Sequence, residues 1–102
     1  MNQQEIISSV KGTVRSIDPQ AKIILFGSRA RGDDQHGSDW DFLILVSKEA
    51  TEDFKSKIRD SLIDTELEAE QVISTIIFSQ KQWPDYSITP LYKNISKEGF
   101  EV

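Results

Sequence analysis

The sequence has no cysteine, no long apolar run and no excess of basic residues. The absence of cysteine excludes disulfides, thiolate nucleophiles and cysteine-ligated zinc. The longest apolar runs, Ile23–Phe26 and Phe42–Val46, have four and five residues, whereas a helix needs about 20 apolar residues to cross a bilayer. We therefore expect both runs to be buried strands of a protein that does not enter a membrane.

The charge balance is acidic, because 17 Asp and Glu side chains outnumber 12 Lys and Arg side chains and the net charge is -5. A surface of this sign repels phosphate backbones, so general nucleic-acid binding is not expected. The first five residues show no basic segment leading into an apolar stretch, as a secretory signal would. We therefore expect a cytoplasmic protein, and its 102 residues predict a single domain over residues 1–102.

Three segments have the pattern of amphipathic helices. The first covers about residues 3–17, where apolar residues recur at three- and four-residue spacing and Asn2 opens a sequence that resembles a capping box. An Asp-Pro pair ends this helix, because proline disfavours the α conformation in the residue before it. A second helix is predicted over about residues 51–67 and a third, short one over residues 89–99.

Three apolar, β-branched segments are predicted as strands, over residues 22–26, 39–46 and 71–78. The first is apolar on both faces, as expected for a central strand that is covered on both sides. The order helix, strand, loop, strand, helix, strand, helix predicts a layered sheet with helices packed on it. In such a small sheet, a functional site is expected at the strand ends and the adjoining loops.

Gly27 and Ser28 follow the first predicted strand and open a polar segment. Glycine lets the backbone turn sharply without a Cβ in the way, and the amides and hydroxyl at such a turn can bind a phosphate. Arg29 and Arg31 could pair with a polyphosphate or could belong to an ordinary polar turn. His36, in the same segment, is expected to be a solvated loop side chain.

Asp39 and Asp41 lie two residues apart on a predicted strand, so their carboxylates should point to the same face. Like charges this close repel each other, and burial raises that cost, unless a cation neutralises them. Mg²⁺ prefers oxygen ligands and is often held by one or two carboxylates together with substrate phosphates. An Asp pair alone could be a solvated strand start, but the upstream Gly27-Ser28 turn favours a site for a metal-bound nucleotide.

The sequence Gly27-Ser28, ten further residues and then Asp39-X-Asp41 resembles the signature of the DNA polymerase β-like nucleotidyltransferase superfamily, specifically of its minimal nucleotidyltransferase branch. The resemblance covers roughly residues 20–80. It implies an α+β fold, with a short mixed sheet of about three strands and helices packed on it. It also implies the transfer of a nucleoside monophosphate, AMP from ATP above all, to a hydroxyl with release of pyrophosphate.

The resemblance further implies a third acid on a neighbouring strand, at or near the start of residues 71–78. Glu70 is the predicted residue and Glu68 the second choice, although both could belong to an exposed helix end. Ser74 is the other candidate oxygen in that strand. By this resemblance, the catalytic and metal-binding residues for two Mg²⁺ ions are Asp39, Asp41 and Glu70, and the nucleotide-binding residues are Gly27, Ser28, Arg29 and Arg31.

Proteins of the minimal branch are commonly encoded beside a HEPN-domain protein, and some are antitoxins that adenylylate this toxin on a tyrosine. From a chain of 102 residues we expect no acceptor-binding domain. The resemblance therefore implies that a HEPN-domain protein, or another subunit, supplies the acceptor hydroxyl. Two alternatives stay open: a binding-only antitoxin or regulatory module, and transfer to a small molecule such as an aminoglycoside.

Overall fold

The computed structural model describes residues 1–32 and 38–102. Within these ranges the predicted helices and strands are present, and a short helix that was not predicted follows the first strand. None of the helices in these ranges has both the length and the apolar character of a transmembrane span. In chain order the elements are α1 Gln3–Ile17, β1 Lys22–Phe26, α2 Ser28–Arg31, β2 Trp40–Val46, α3 Glu52–Ser61, α4 Ile63–Ala69, β3 Ile73–Ser79, a 3₁₀ helix Trp83–Tyr86, α5 Pro90–Glu98 and β4 Phe100–Glu101.

The first helix begins at the predicted capping box. The side chain of Asn2 accepts a hydrogen bond from the Glu5 amide at 2.8 Å, and the Glu5 carboxylate accepts one from the Asn2 amide at 3.0 Å. These contacts satisfy two amides that the helix itself leaves without partners. The helix ends at Asp18, directly before proline, as predicted.

The sheet is mixed and has the strand order β3-β2-β1-β4. β1 runs antiparallel to both of its neighbours, β2 and β4, whereas β2 and β3 run parallel. A parallel pair needs a crossover connection, which α3 and α4 supply. The α+β class and the mixed sheet predicted from the resemblance are confirmed.

Apolar side chains cover both faces of the sheet. On one face α1, α3 and α4 pack on alternate residues of β2, including Phe42 and Ile44. On the other face Leu43 and Leu45 pack with Trp83 and Ile95, which come from the 3₁₀ helix and α5. The two packed faces make β1 and β2 the centre of the molecule, so the ends of these two strands are firmly supported.

Asp18 joins the end of α1 to the end of β2. Although it is only 1% exposed, its carboxylate accepts hydrogen bonds from the Ser47 amide and the Ser47 hydroxyl, both at 2.7 Å, and from the Gln20 amide at 3.2 Å. Burial alone would raise the pKa of Asp18, but these hydrogen bonds and the nearby charge of Lys48 together lower it. The buried charge is therefore well compensated in the folded protein.

The structure corrects the predicted second helix, which is two helices with a break at Leu62. The Leu62 amide bonds to the carbonyls of Arg59 and Asp60 and closes α3 there. Beyond the break, Thr65 of α4 lies against α1, where its hydroxyl and that of Ser9 are hydrogen-bonded at 2.8 Å. Tertiary packing therefore overrides the continuous helical pattern of the sequence.

The sheet also differs from the prediction in its strands, since it has four rather than about three. β4 is only two residues long and pairs with Ile24 and Leu25 of β1. A two-residue strand has no periodic pattern, so a sequence-based method cannot detect it. β3 begins at Ile73, two residues later than the predicted range of 71–78, and this shift matters for the site.

Candidate active site

The end of β1 turns sharply at Gly27, as predicted. Its φ angle of 77° lies in the left-handed region, which glycine adopts without strain. The Gly27 carbonyl accepts hydrogen bonds from the amides of Ala30 and Arg31, both at 3.1 Å, and so starts the short helix α2 at Ser28. The predicted phosphate-binding turn therefore exists as a defined structure directly after a central strand.

Gly27 also lies in close contact with Asp41. Phe26, the last residue of β1, pairs with Asp41 of β2, so the turn and the aspartate lie at the same end of the sheet. A Cβ atom on Gly27 would collide with Oδ2 of Asp41. The residue predicted to bind phosphate and the residue predicted to bind metal are thus in direct contact.

Asp39 and Asp41 form an interacting pair of carboxylates. Asp41 is half-buried on β2, and Asp39 is exposed immediately before the strand. Burial raises the pKa of Asp41, and the charges of Asp39 and Glu98 raise it further, against the opposing effect of Arg31. Two neighbouring carboxylates, one of them partly desolvated, offer hard oxygen ligands and fit a divalent cation such as Mg²⁺.

The structure does not bring Glu70 to this pair. Glu70 is an exposed residue at the end of α4, with a φ angle of 55°, and lies before β3 begins. The residue of β3 that pairs with Asp41 is Ser74. In the part of the chain that the structure describes, no three acidic or histidine side chains are grouped so that they could hold a metal ion. The second choice, Glu68, is likewise exposed and belongs to no such group.

Arg29 is held between the starts of β2 and β3. Its guanidinium donates to the Ser38 carbonyl at 2.9 Å and to the side-chain oxygen of Gln71 at 3.0 Å. It also lies over the Trp40 ring, 4.7 Å from the ring centroid. The Trp40 indole donates to the same Gln71 oxygen at 2.6 Å. This Arg29–Trp40–Gln71 cluster fixes α2 against the strand that carries Asp41.

Trp40 itself is 1% exposed and packs in the core on the face opposite Asp41, as its position between the two aspartates predicts. Of the two predicted nucleotide-binding arginines, Arg29 therefore contacts the core side of the sheet. Arg31 lies at the surface, where 46% of its side chain is exposed. His36 lies outside the described residues.

Glu98, the last residue of α5, reaches the turn from another direction. Its Oε1 accepts a hydrogen bond from the Gly27 amide at 3.3 Å, and its Oε2 pairs with Nη1 of Arg31 at 2.8 Å. The Glu98 side chain is 21% exposed. The carboxylate therefore contacts two of the groups that were predicted to bind a triphosphate.

Sequence reasoning missed both Gln71 and Glu98 as site residues. The sequence predicts Gln71 only as the first residue of a strand. Its polar side chain at the edge of an apolar segment is the one local feature that could have indicated a role in the site. Glu98 is 71 positions from Gly27 along the chain. Its approach depends on how α5 packs on the sheet, and no local pattern reports that packing.

Comparison with known proteins gives a consistent result. The nucleotidyltransferase domain family matches residues 7–100. A putative protein adenylyltransferase of Methanocaldococcus jannaschii is 40% identical over 78 residues, which cover 74% of this chain and 79% of that protein.

Two crystal structures share the fold. A toxin–antitoxin with AMP-PNP aligns with a TM-score of 0.67 and 17% identity, over 92% of this chain and 69% of that chain. A mutant of the toxin–antitoxin MntA-HpeT aligns with a TM-score of 0.63 and 19% identity, over 100% of this chain and 72% of that chain.

The match over residues 7–100 and the 40% identical relative identify a nucleotide-transferring enzyme. The chain belongs to the nucleotidyltransferase domain family, so the nucleotidyltransferase resemblance of the sequence is confirmed. The roles of the individual site residues are predictions, which we develop below.

Proposed function

We propose that the protein transfers AMP from ATP to a hydroxyl of a partner protein, in a reaction that depends on Mg²⁺. The observation that carries this proposal is the contact between Gly27 and Asp41, which joins a turn suited to phosphate with a carboxylate suited to a cation. Similarity to a putative protein adenylyltransferase supports AMP as the transferred group and a protein as the acceptor.

In this proposal the residues of the chain have distinct tasks. The Gly27 amide and the Ser28 hydroxyl bind phosphate oxygens, and Arg31 pairs with the polyphosphate. Asp39 and Asp41 hold Mg²⁺, which when bound neutralises phosphate charge and orients the reacting oxygens. Arg29 has a positioning task, because its contacts with Trp40 and Gln71 keep the turn beside β2.

The reaction exchanges one bond to phosphorus for another. The acceptor hydroxyl oxygen forms a bond to the α-phosphorus of ATP, and the bond from that phosphorus to the pyrophosphate oxygen breaks. The proton of the hydroxyl passes to a carboxylate at the site, which acts as general base. Pyrophosphate leaves, and the partner protein keeps AMP as a phosphodiester.

We further propose that the partner is a HEPN-domain toxin and that the chain acts as its antitoxin. The two aligned structures are both toxin–antitoxin structures, which supports this setting. A tyrosine hydroxyl of the toxin is the acceptor that the minimal-branch resemblance implies. Modification of that tyrosine would then neutralise the toxin.

The test is transfer of label from ATP labelled at the α-phosphate to the product of the neighbouring gene, with and without Mg²⁺. We expect label on the partner with the wild-type protein and none with the double variant Asp39→Asn/Asp41→Asn. The double variant Asp60→Asn/Asp64→Asn, at exposed positions of α3 and α4, controls for the loss of two negative charges. Labelling that survives the double substitution would refute the metal-binding role of the pair.

A binding-only antitoxin is the second candidate. The observation that favours it is that Asp39 and Asp41 have no third acidic residue grouped with them among the described residues. Co-expression with the toxin separates the two proposals. Relief of toxicity that persists in Asp39→Asn/Asp41→Asn, without label on the toxin, would establish neutralisation by contact.

A further inference from the structure

Both carboxylate oxygens of Glu98 accept hydrogen bonds from the turn that follows β1. One accepts from the backbone amide of Gly27 and the other from the guanidinium of Arg31. An amide and a guanidinium are donors of the kind that recognise phosphate oxygens through charge-assisted hydrogen bonds. A carboxylate of the protein thus fills an arrangement that is suited to a bound anion.

The backbone that carries Glu98 is held tightly against β1. A Cβ atom on the next residue, Gly99, would lie 2.7 Å from the Ile95 carbonyl oxygen and 3.0 Å from Cγ2 of Ile24. The Gly99 amide donates to the same Ile95 carbonyl at 2.8 Å. β4 then pairs with β1 from Phe100 onward. The fold therefore sets the backbone position of Glu98 beside the turn.

The contacts of Glu98 indicate that its carboxylate occupies a site for an anionic ligand. They do not indicate that it is a third metal ligand. Its hydrogen bonds go to donors, Gly27 and Arg31, and it is not grouped with Asp39 and Asp41 as a metal ligand within residues 1–32 and 38–102.

We propose that Glu98 is an internal competitor for the triphosphate: its carboxylate occupies the donors at Gly27 and Arg31, and a bound triphosphate displaces it. This inference rests on the proposed function. Only the molecules in which Glu98 has left the site can bind the ligand. The apparent affinity is therefore reduced in proportion to the fraction of molecules that are open. Glu98 is in this sense a residue that sets the affinity for nucleotide.

The test is calorimetric titration of the full chain with inorganic tripolyphosphate in saturating Mg²⁺. Glu98→Gln keeps the size of the side chain but loses its charge. We expect it to lower the Kd by roughly five- to tenfold, the factor for a site that is closed in about 80–90% of molecules. Glu101→Gln, an exposed residue of β4, is the matched control and should bind as the wild type does.

Activity provides a second readout that a purely structural role would not change. With Glu98→Gln we expect a lower KM for ATP and an unchanged dependence on Mg²⁺, while thermal unfolding checks that the variant is folded. Binding that is equal to or weaker than wild type would overturn the inference and leave the proposed function standing. A raised requirement for Mg²⁺ would overturn it in favour of a metal-ligand role. Failure of both proteins to bind tripolyphosphate would reject the proposed function together with the inference.

Discussion

At the scale of single residues, the turn after β1 depends on the missing side chain of Gly27. We expect Gly27→Ala to lower the free energy of unfolding by about 1–3 kcal/mol, because its φ of 77° and ψ of -161° form a conformation that essentially only glycine adopts. We also expect AMP transfer to be lost, since the new Cβ would displace Asp41. Urea unfolding and the transfer assay measure the two effects.

The matched control for this prediction is Gly12→Ala. Gly12 is exposed in the middle of α1, and a Cβ there meets nothing within 4 Å. Alanine at this position should stabilise the helix by about 1 kcal/mol and leave transfer unchanged. Equal effects of the two substitutions would show that the contact between Gly27 and Asp41 has no role.

Short spacings in the sequence predicted which residues lie close together. The order Gly27-Ser28 and then Asp39-X-Asp41 predicted a common location, and the structure brings Gly27, Asp39 and Asp41 together. Glu70 could not be placed correctly, because α4 ends with Glu70 in a left-handed conformation and β3 starts later than expected. Glu98 could not be found, because its contact is made between distant parts of the chain.

At the scale of elements, Asp18 connects α1 and β2 through a buried charge. Asp18→Asn should reduce the free energy of unfolding by about 1–3 kcal/mol at neutral pH, because hydrogen bonds to a charged acceptor are lost. The pKa of Asp18 is lowered in the folded state, so its contribution is present above the unfolded value of about 3.9. That contribution is lost as the pH falls through the lower, folded value.

Urea unfolding of the wild type and of Asp18→Asn between pH 7 and pH 2 checks this expectation. The difference between the two proteins should be largest near neutrality and should shrink below about pH 4. Asp60→Asn, exposed on α3, serves as the comparison for removal of a negative charge. A difference that stays constant over this range would mean that the charge of Asp18 does not contribute to stability.

The elements differ in how well local sequence specifies them. The capping box at Asn2 and the Thr89-Pro90 start of α5 are local signals, and both are confirmed: the Thr89 hydroxyl accepts from the Tyr92 amide at 3.2 Å. The break at Leu62 and the strand β4 depend on contacts with distant elements. These contacts join residues that are far apart in the sequence. The helix period of 3.6 residues and the strand period of two residues are local patterns and do not report such contacts.

At the scale of the whole molecule, binding of nucleotide should raise stability by mass action. With Mg²⁺ and AMP-PNP at about 100 times the Kd, the expected gain is about 2.7 kcal/mol, which for a domain of this size is on the order of 10 °C in Tm. Asp39→Asn/Asp41→Asn should lose most of this shift. Differential scanning calorimetry measures it.

Without ligand, the same double variant should melt no lower than the wild type. The raised pKa of Asp41 shows that burial and the neighbouring charge of Asp39 disfavour its ionised form in the folded protein, so removal of the pair relieves repulsion. An identical ligand-induced shift in both proteins would show that AMP-PNP binds without the aspartates.

The Arg29–Trp40–Gln71 cluster has a consequence for the thermodynamics of ligand binding. These side chains are already ordered in the folded protein. The part of the site that they support, α2 beside β2, therefore loses little conformational entropy when nucleotide binds. Arg31 is different, because in the proposed competition its Nη1 exchanges the carboxylate of Glu98 for a phosphate oxygen. The entropy change on binding should therefore originate in α5 and its neighbours, while the backbone around β2 keeps the same order with and without nucleotide.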